Sequence, residues 1–206
     1  MKLDLNFTEN NKEFKLDFGQ IQDLSDGGYE RGYAAGKANE QKITTSILDG
    51  TIEGEYYNED VTAIKWYSFS GCVNLKSVSL PNATRIGGYA FRVCSKLESV
   101  NIPSIKSLGD YNTAVFFQCH ALKKLDLHGC ESIWQNGLIN QCKAVKTLIF
   151  RGEKVCVLSG GNLGISATCL IYVPDNLVEE YKVATNWTQY AERIKPLSEL
   201  PEEENE

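Results

Sequence analysis

Seven cysteines and two histidines are the side chains of this 206-residue sequence most suited to metal or thiol chemistry. Cys119 adjoins His120, and His128 lies two places before Cys130, a loose Cys-His…His-x-Cys cluster. Zinc requires such groups to converge in a tetrahedron. A Cys/His nucleophilic pair requires an exposed thiol with a lowered pKa beside a base. The spacing points elsewhere. Cys72, Cys94, Cys119 and Cys142 follow at intervals of 22, 25 and 23, and the sequence has no Cys-x-x-Cys pair. A repeat spaces its cysteines so evenly, whereas a disulfide framework does not, and a free cysteine behaves as a small buried hydrophobe. We therefore expect column thiols inside a core, in a reducing compartment. Cys130, outside the column, should be the more accessible. No metal and no cofactor are expected.

Other chemistry finds no seat. Acidic residues are scattered without a paired, recessed arrangement for glycoside hydrolysis. Gly160-Gly161-Asn162-Leu163-Gly164 lacks the Lys-Ser/Thr that would follow in a phosphate loop, and reads as an irregularity in the repeat. The expectation is a protein that is not an enzyme.

Composition narrows the partners. The chain is 42% hydrophobic and 23% charged, ordinary for a globular protein with a core. A net charge of −6 argues against nucleic acid or an anionic membrane held by bulk electrostatics. No apolar run approaches the ~20 residues of a membrane span, so membrane insertion is not expected, and Met1-Lys2-Leu3-Asp4-Leu5 shows no apolar leader; the expected location is the cell surface if a signal is missing from this sequence, and otherwise cytoplasmic or virion-associated.

The elements that position these residues are repeats. Counted from each column cysteine, apolar residues recur three places on (Leu75, Leu97, Leu122, Val145), six on (Val78, Val100, Leu125, Leu148) and eight on (Leu80, Ile102, Leu127, Phe150). Three places before stand Phe69, Phe91, Phe116 and Ile139. A further column holds Ile64, Ile86, Leu108 and Ile133, and a degenerate fifth unit reads Val157, Ile165, Thr168, Ile171, Val173. Leu75-x-x-Val78-x-Leu80 ends in a period-2 pair, a short strand with one buried face. Pro81, Pro103 and Pro174 close that strand in three units. Thr84-Arg85-Ile86 reads as a second strand. A unit of about 22 residues cannot bury its apolar face alone, so the units must stack. The structural core is then Phe69, Cys72, Leu75, Phe91, Cys94, Leu97, Phe116, Cys119, Leu122 and Cys142.

The string Ala90-Phe91-x-x-Cys94-x-x-Leu97-x-x-Val100-x-Ile102-Pro103 resembles the BspA-like class of leucine-rich repeats, over residues 61–174. The flanks Leu48-Asp49-Gly50-Thr51-Ile52 and Ile171-Tyr172-Val173-Pro174-Asp175 are similar to that family too. Leu138-Ile139 and the Gly160-Gly161-Asn162 loop depart from it. The resemblance implies an α/β repeat, a right-handed leucine-rich-repeat solenoid over residues 43–174, and a non-enzymatic binding surface for a protein or glycan. Such proteins are often bacterial surface or adhesion proteins. The repeat also occurs in phage-derived genes, so the alternative is a structural or receptor-binding component of a phage or prophage particle.

Around the repeats, Leu3, Leu5 and Phe7, then Phe14, Leu16 and Phe18, alternate with polar residues as an N-terminal β-hairpin does. Tyr29–Lys42 suggests a short helix whose Gly28, Gly32 and Gly36 recur every four residues; two readings stand, an association stripe that makes residues 1–42 an anchor or homo-oligomerisation segment, and a linker helix weakened by glycine. Residues 175–197 read as a C-terminal helical cap, with Trp187, Tyr190, Ile194 and Leu197 at helical spacing, and 198–206 as a solvated acidic tail. On the principal strands two rungs point outward: Ser79, Asn101, Asp126, Ile149, Tyr172 and Ser77, Ser99, Lys124, Thr147, Leu170. The face runs from polar to apolar, so the expected binding residues are Ser79, Asn101, Lys124, Asp126, Ile149, Leu170 and Tyr172, with Tyr172 the strongest anchor; the alternative is that the C-terminal helix lies over the apolar end.

Overall fold

The computed structural model describes residues 52–109, 114–134 and 138–202 in full, and the backbone of Leu5–Phe7 and Phe14–Leu16. Leu5–Phe7 (β1) pairs antiparallel with Phe14–Leu16 (β2), Leu5 opposite Leu16. The helix expected over Tyr29–Lys42 lies outside the described residues.

Each repeat makes one circuit and returns to its starting corner one strand spacing along, so like strands pair in parallel. Gly54–Tyr57 (β3), Leu75–Ser79 (β5) and Ser99–Asn101 (β7) form one principal sheet. Lys124–Asp126 (β10), Thr147–Ile149 (β13), Leu170–Val173 (β15) and Ile194–Pro196 (β16) form the next. The second corner carries the two-residue strands Ala63–Ile64 (β4), Arg85–Ile86 (β6), Ser107–Leu108 (β8), Ser132–Ile133 (β11) and Val157–Leu158 (β14), in one five-stranded sheet. At the third corner, among the described residues, only Phe116–Phe117 (β9) and Ile139–Asn140 (β12) reach strand geometry.

The α/β expectation is corrected here: these repeats are strand and turn. In four units a left-handed residue stands one place before the column cysteine, at Gly71 (φ 80°), Val93 (φ 60°), Gln118 (φ 59°) and Gln141 (φ 60°). That conformation breaks any helix and turns the next side chain into the core. It costs a non-glycine residue about 1–2 kcal/mol, and Val93 is β-branched. Single tight turns follow, as in Leu97 N–H to Cys94 O (3.1 Å) and Val145 N–H to Cys142 O (3.2 Å). Between the corners packing is equally close. A Cβ on Gly87 would lie 2.7 Å from Trp66 N of the preceding unit, so a side chain there would push two units apart.

The column cysteines have more than a packing role. Cys94 Sγ donates to Phe69 O (3.0 Å), Cys119 Sγ to Phe91 O (3.0 Å) and Cys142 Sγ to Phe116 O (3.5 Å), each reaching the preceding unit. The thiol is thus a hydrophobe small enough for the column that still pairs a buried carbonyl. All ten core residues named from the sequence are buried. The expectation for Cys130 is wrong. It is buried too, in a column that the sequence reading missed: Val61, Ala83, Ile105 and Cys130, three places before Ile64, Ile86, Leu108 and Ile133. Two positions of the fifth unit also shift by one. Ile133 pairs with Leu158, leaving Val157 exposed, and Cys169 is buried while Thr168 is exposed.

All seven thiols are free and buried. Burial pushes Cys72 up to about 12 and Cys94 well above its ordinary value. Hydrogen bonding to Cys142, and then burial, pushes Cys119 up. The folded protein therefore holds these protons where the unfolded chain releases them. For Cys72 the stability so contributed is fully present below the unfolded value of 9.0 and is lost as pH rises from there towards about 12. A disulfide-exchange reagent at neutral pH is expected to label none of the seven rapidly in the native protein and all of them after denaturation. Rapid native labelling of Cys94 or Cys130 would show that the columns are open to solvent.

The C-terminal segment closes the stack. Its α-helix is six residues, Val178–Val183 (α1), and a 3-10 turn at Thr188–Arg193 follows. The expected helical run through Ile194 is corrected, because Ile194 opens β16 and pairs with Ile171. Pro196 ends this edge strand, where the missing N–H discourages further pairing. Trp187 is fully buried, edge-on to Phe150 (centroids 5.4 Å apart) and to Tyr181 (4.9 Å). Its Nε1 donates to Cys156 O (2.8 Å), while Tyr181 Oη and Tyr190 Oη accept the N–H groups of Cys156 (2.9 Å) and Leu163 (2.7 Å). Cap side chains thus pair backbone groups that a following repeat would otherwise meet.

Candidate ligand-binding face

The outward side chains of the principal strands fall into three stretches. The first gains a strand that was not expected. β3 sets Glu55 opposite Ser77 and Tyr57 opposite Ser79, adding a strand to the polar end of the face. Tyr57 is 63% exposed, and its Oη donates to Glu59 Oε2 (3.1 Å). That bond, followed by the Glu59 charge, raises the Tyr57 pKa. Beside it Asn101 Nδ2 donates to Ser79 Oγ (3.1 Å), so two of the expected binding residues are brought together. Ser99 and Asn101 are exposed, and Ser77 and Ser79 half-buried. The signal for β3 was available: Tyr56 stands 22 places before Val78, the repeat interval, but this unit has no column cysteine from which to count.

The second stretch begins across a seam. No strand ladder joins β7 to β10 among the described residues, so the single continuous sheet face expected from the sequence is two sheets. The seam falls in the unit whose cysteine interval is 25. Val100 beside it is half-buried, whereas Val78, Leu125, Leu148 and Ile171 in the same column are fully buried. On the far side, Asp126 is engaged within the chain. Its Oδ2 accepts from Arg151 Nε (2.7 Å) and its Oδ1 from the N–H of His128 (2.9 Å). Lys124 is half-buried. His128, a member of the supposed metal cluster, has its Nδ1 3.8 Å from Asp126 Oδ1, while Cys119 and Cys130 are inside the core. Among the described residues no group of three or more His, Cys, Asp or Glu side chains is placed to hold a metal ion.

The third stretch is closed. Ile149 is 0% and Tyr172 5% exposed, Thr147 is buried and Leu170 half-buried. Leu200 covers Ile149 and Tyr172, with Leu197 packed alongside. The exposed apolar anchors expected at Ile149 and Tyr172 are therefore corrected to covered ones. The covering residues are a turn at Leu197–Glu199 and Leu200, which straddle the expected boundary between the helical cap, ending at Leu197, and the solvated tail from Ser198. The open face is consequently the polar half: Glu55, Tyr57, Ser77, Ser79, Ser99 and Asn101.

Comparison with known proteins places this geometry. The pattern described as BspA type leucine rich repeat region matches residues 52–156 as six copies. No curated protein matches the chain. Among solved structures, the pneumococcal vaccine antigen PcpA is 19% identical with a TM-score of 0.47, over 69% of this chain and 39% of that one. A leucine-rich repeat protein from Bacteroides ovatus is 18% identical with a TM-score of 0.47, over 71% of this chain and 43% of the other. The chain thus spans about two fifths of the length of either structure. No helix among the described residues is long and apolar enough to cross a membrane.

Proposed function

Because the chain belongs to the BspA-type leucine-rich repeat family, we propose that it is a non-enzymatic, adhesion-type binding module that takes a protein or glycan on the polar half of its principal strand face. Repeats of this type generally serve as protein-binding or adhesion modules. The observation that carries the choice of surface is the contrast between the two ends of the face. Leu197 and Leu200 close the apolar end, while Tyr57 stays 63% exposed beside the Ser79–Asn101 pair at the other. Aromatic side chains dominate binding energy, and small polar neighbours supply complementarity.

Binding is to be measured against a panel of immobilised host-surface proteins and glycans, with thermal unfolding recorded on the same variants. Tyr57→Ala is expected to weaken the best binder of the panel by about 1–2 kcal/mol and to leave the unfolding midpoint near that of the unsubstituted protein. Tyr172→Ala is expected to do the reverse. Affinity lost at Tyr172 and unchanged at Tyr57 would put the ligand at the C-terminal end and overturn this reading.

A further inference from the structure

The C-terminal cap has two parts, held differently. Tyr181, Trp187, Tyr190 and Ile194 belong to the main core and are bonded into the last repeat. Leu200 belongs instead to a separate apolar cluster with Ile149 and Tyr172, against which Leu170 and Leu197 pack. The segment carrying it is one turn, Leu197–Glu199, closed by Leu200 N–H on Leu197 O (3.0 Å). Its polar ties to the cap converge on one surface carboxylate, Asp175, whose Oδ1 accepts the Ser198 N–H (3.0 Å) and which also bonds the Ser198 side chain and the Leu197 backbone. Pro201 and Glu202 beyond it are exposed.

We infer that Leu197–Leu200 is a displaceable strap lying in a peptide-binding groove made by Ile149, Leu170 and Tyr172, and that the groove accepts a partner's peptide of the same chemistry in its place. That chemistry is a single helical turn with two leucines three places apart and polar residues between them. In such a turn the residues at i and i+3 lie on one side. Leu197 and Leu200 accordingly meet the strand face while Ser198 and Glu199 are exposed. The strap is therefore both the cover of the groove and the description of what fits it. Tethering gives the strap a millimolar effective concentration, so a partner peptide binds appreciably only when its own contacts exceed that advantage or the strap is weakened. The inference does not depend on ligand binding at Tyr57, since it concerns the opposite end of the face.

The test uses the full chain carrying Leu197→Ser and Leu200→Ser, and a fluorescein-labelled synthetic peptide of residues 194–202 read by fluorescence anisotropy. The doubly substituted chain is expected to bind the peptide at least about tenfold more tightly than the unsubstituted chain, whose own strap competes. It is also expected to keep a cooperative unfolding transition. A peptide with both leucines replaced by serine should not bind, and adding Tyr172→Ala to the doubly substituted chain should remove binding. Equal binding by the two chains, no binding by the folded variant, or loss of the fold on removing the leucines would each overturn the inference, which requires a fold that stands without its strap.

Discussion

Phe91→Ala is expected to lower the unfolding free energy by about 3–5 kcal/mol, with a matching fall in the denaturant midpoint. Phe91 lies between Phe69 and Phe116, with ring centroids 5.0 and 5.2 Å away and both pairs of rings within 4° of parallel. All three rings are buried, and both neighbouring units are tied to this one by backbone bonds, through β5 on one side and, despite the seam, through β8 and the Val115 and Phe117 carbonyls on the other, so neither collapses readily into the space left by the ring. Cys119 Sγ bonds to the carbonyl of the same residue, so any movement of the Phe91 backbone also disturbs the next unit. Phe69→Ala should be milder. On its outer side Phe69 meets Tyr56 edge-on at 5.4 Å, and Tyr56 is only half-buried and freer to move inward. Equal losses at Phe69 and Phe91 would mean that relaxation at the end of the stack contributes nothing. An unchanged midpoint for Phe91→Ala would mean that the column is not the core.

The repeat was legible because it depends on residues whose burial is obligatory and whose interval is fixed by one circuit of the chain. Phe91, Cys94, Leu97 and Ile102 each occupy a column that stacking must fill, and a different residue type in one unit does not hide the others. What escaped was set by contacts between distant segments or by a single shift of register. Val157 and Leu158 are both apolar, so only strand pairing with Ile133 decides which of them points inward. The column containing Cys130 mixes Val61, Ala83 and Ile105, whose sizes differ too much to mark it. The three extra residues before Cys119 were visible, but their consequence, a seam between β7 and β10, depends on strand spacing that no pattern of residue types encodes. The cover over Tyr172 was hidden by composition. Leu197 and Leu200 stand among Ser198, Glu199, Glu202 and further acidic residues, and a turn needs only two apolar side chains to close a patch. For the same reason the strand face was readable, but which end of it remained open was not.

Trp187→Ala should be the most damaging single change at the C-terminal end, at about 5 kcal/mol. Two losses combine. Removing a fully buried indole leaves a cavity between Phe150, Tyr181 and Tyr190, for which large-to-small changes cost about 3–5 kcal/mol. It also leaves Cys156 O without its Nε1 donor (2.8 Å), and an unsatisfied buried carbonyl costs about 1–3 kcal/mol. Trp187→Phe separates the two, because it retains most of the apolar volume and loses the donor, so about 1–3 kcal/mol is expected for it. The location of the damage matters as much as its size. A stack in which each unit contacts only its neighbours opens from its weakened end. In Trp187→Ala, Cys156 and Cys169 should therefore become reactive to a thiol reagent at denaturant concentrations where Cys72 and Cys94 are still protected, as read by peptide mapping of the labelled protein. Simultaneous exposure of all seven thiols would show that the stack unfolds as one unit and that the cap is an integral part of the core. Early exposure confined to Cys156 and Cys169 would identify it as a separable closure, held on the repeats chiefly by one indole.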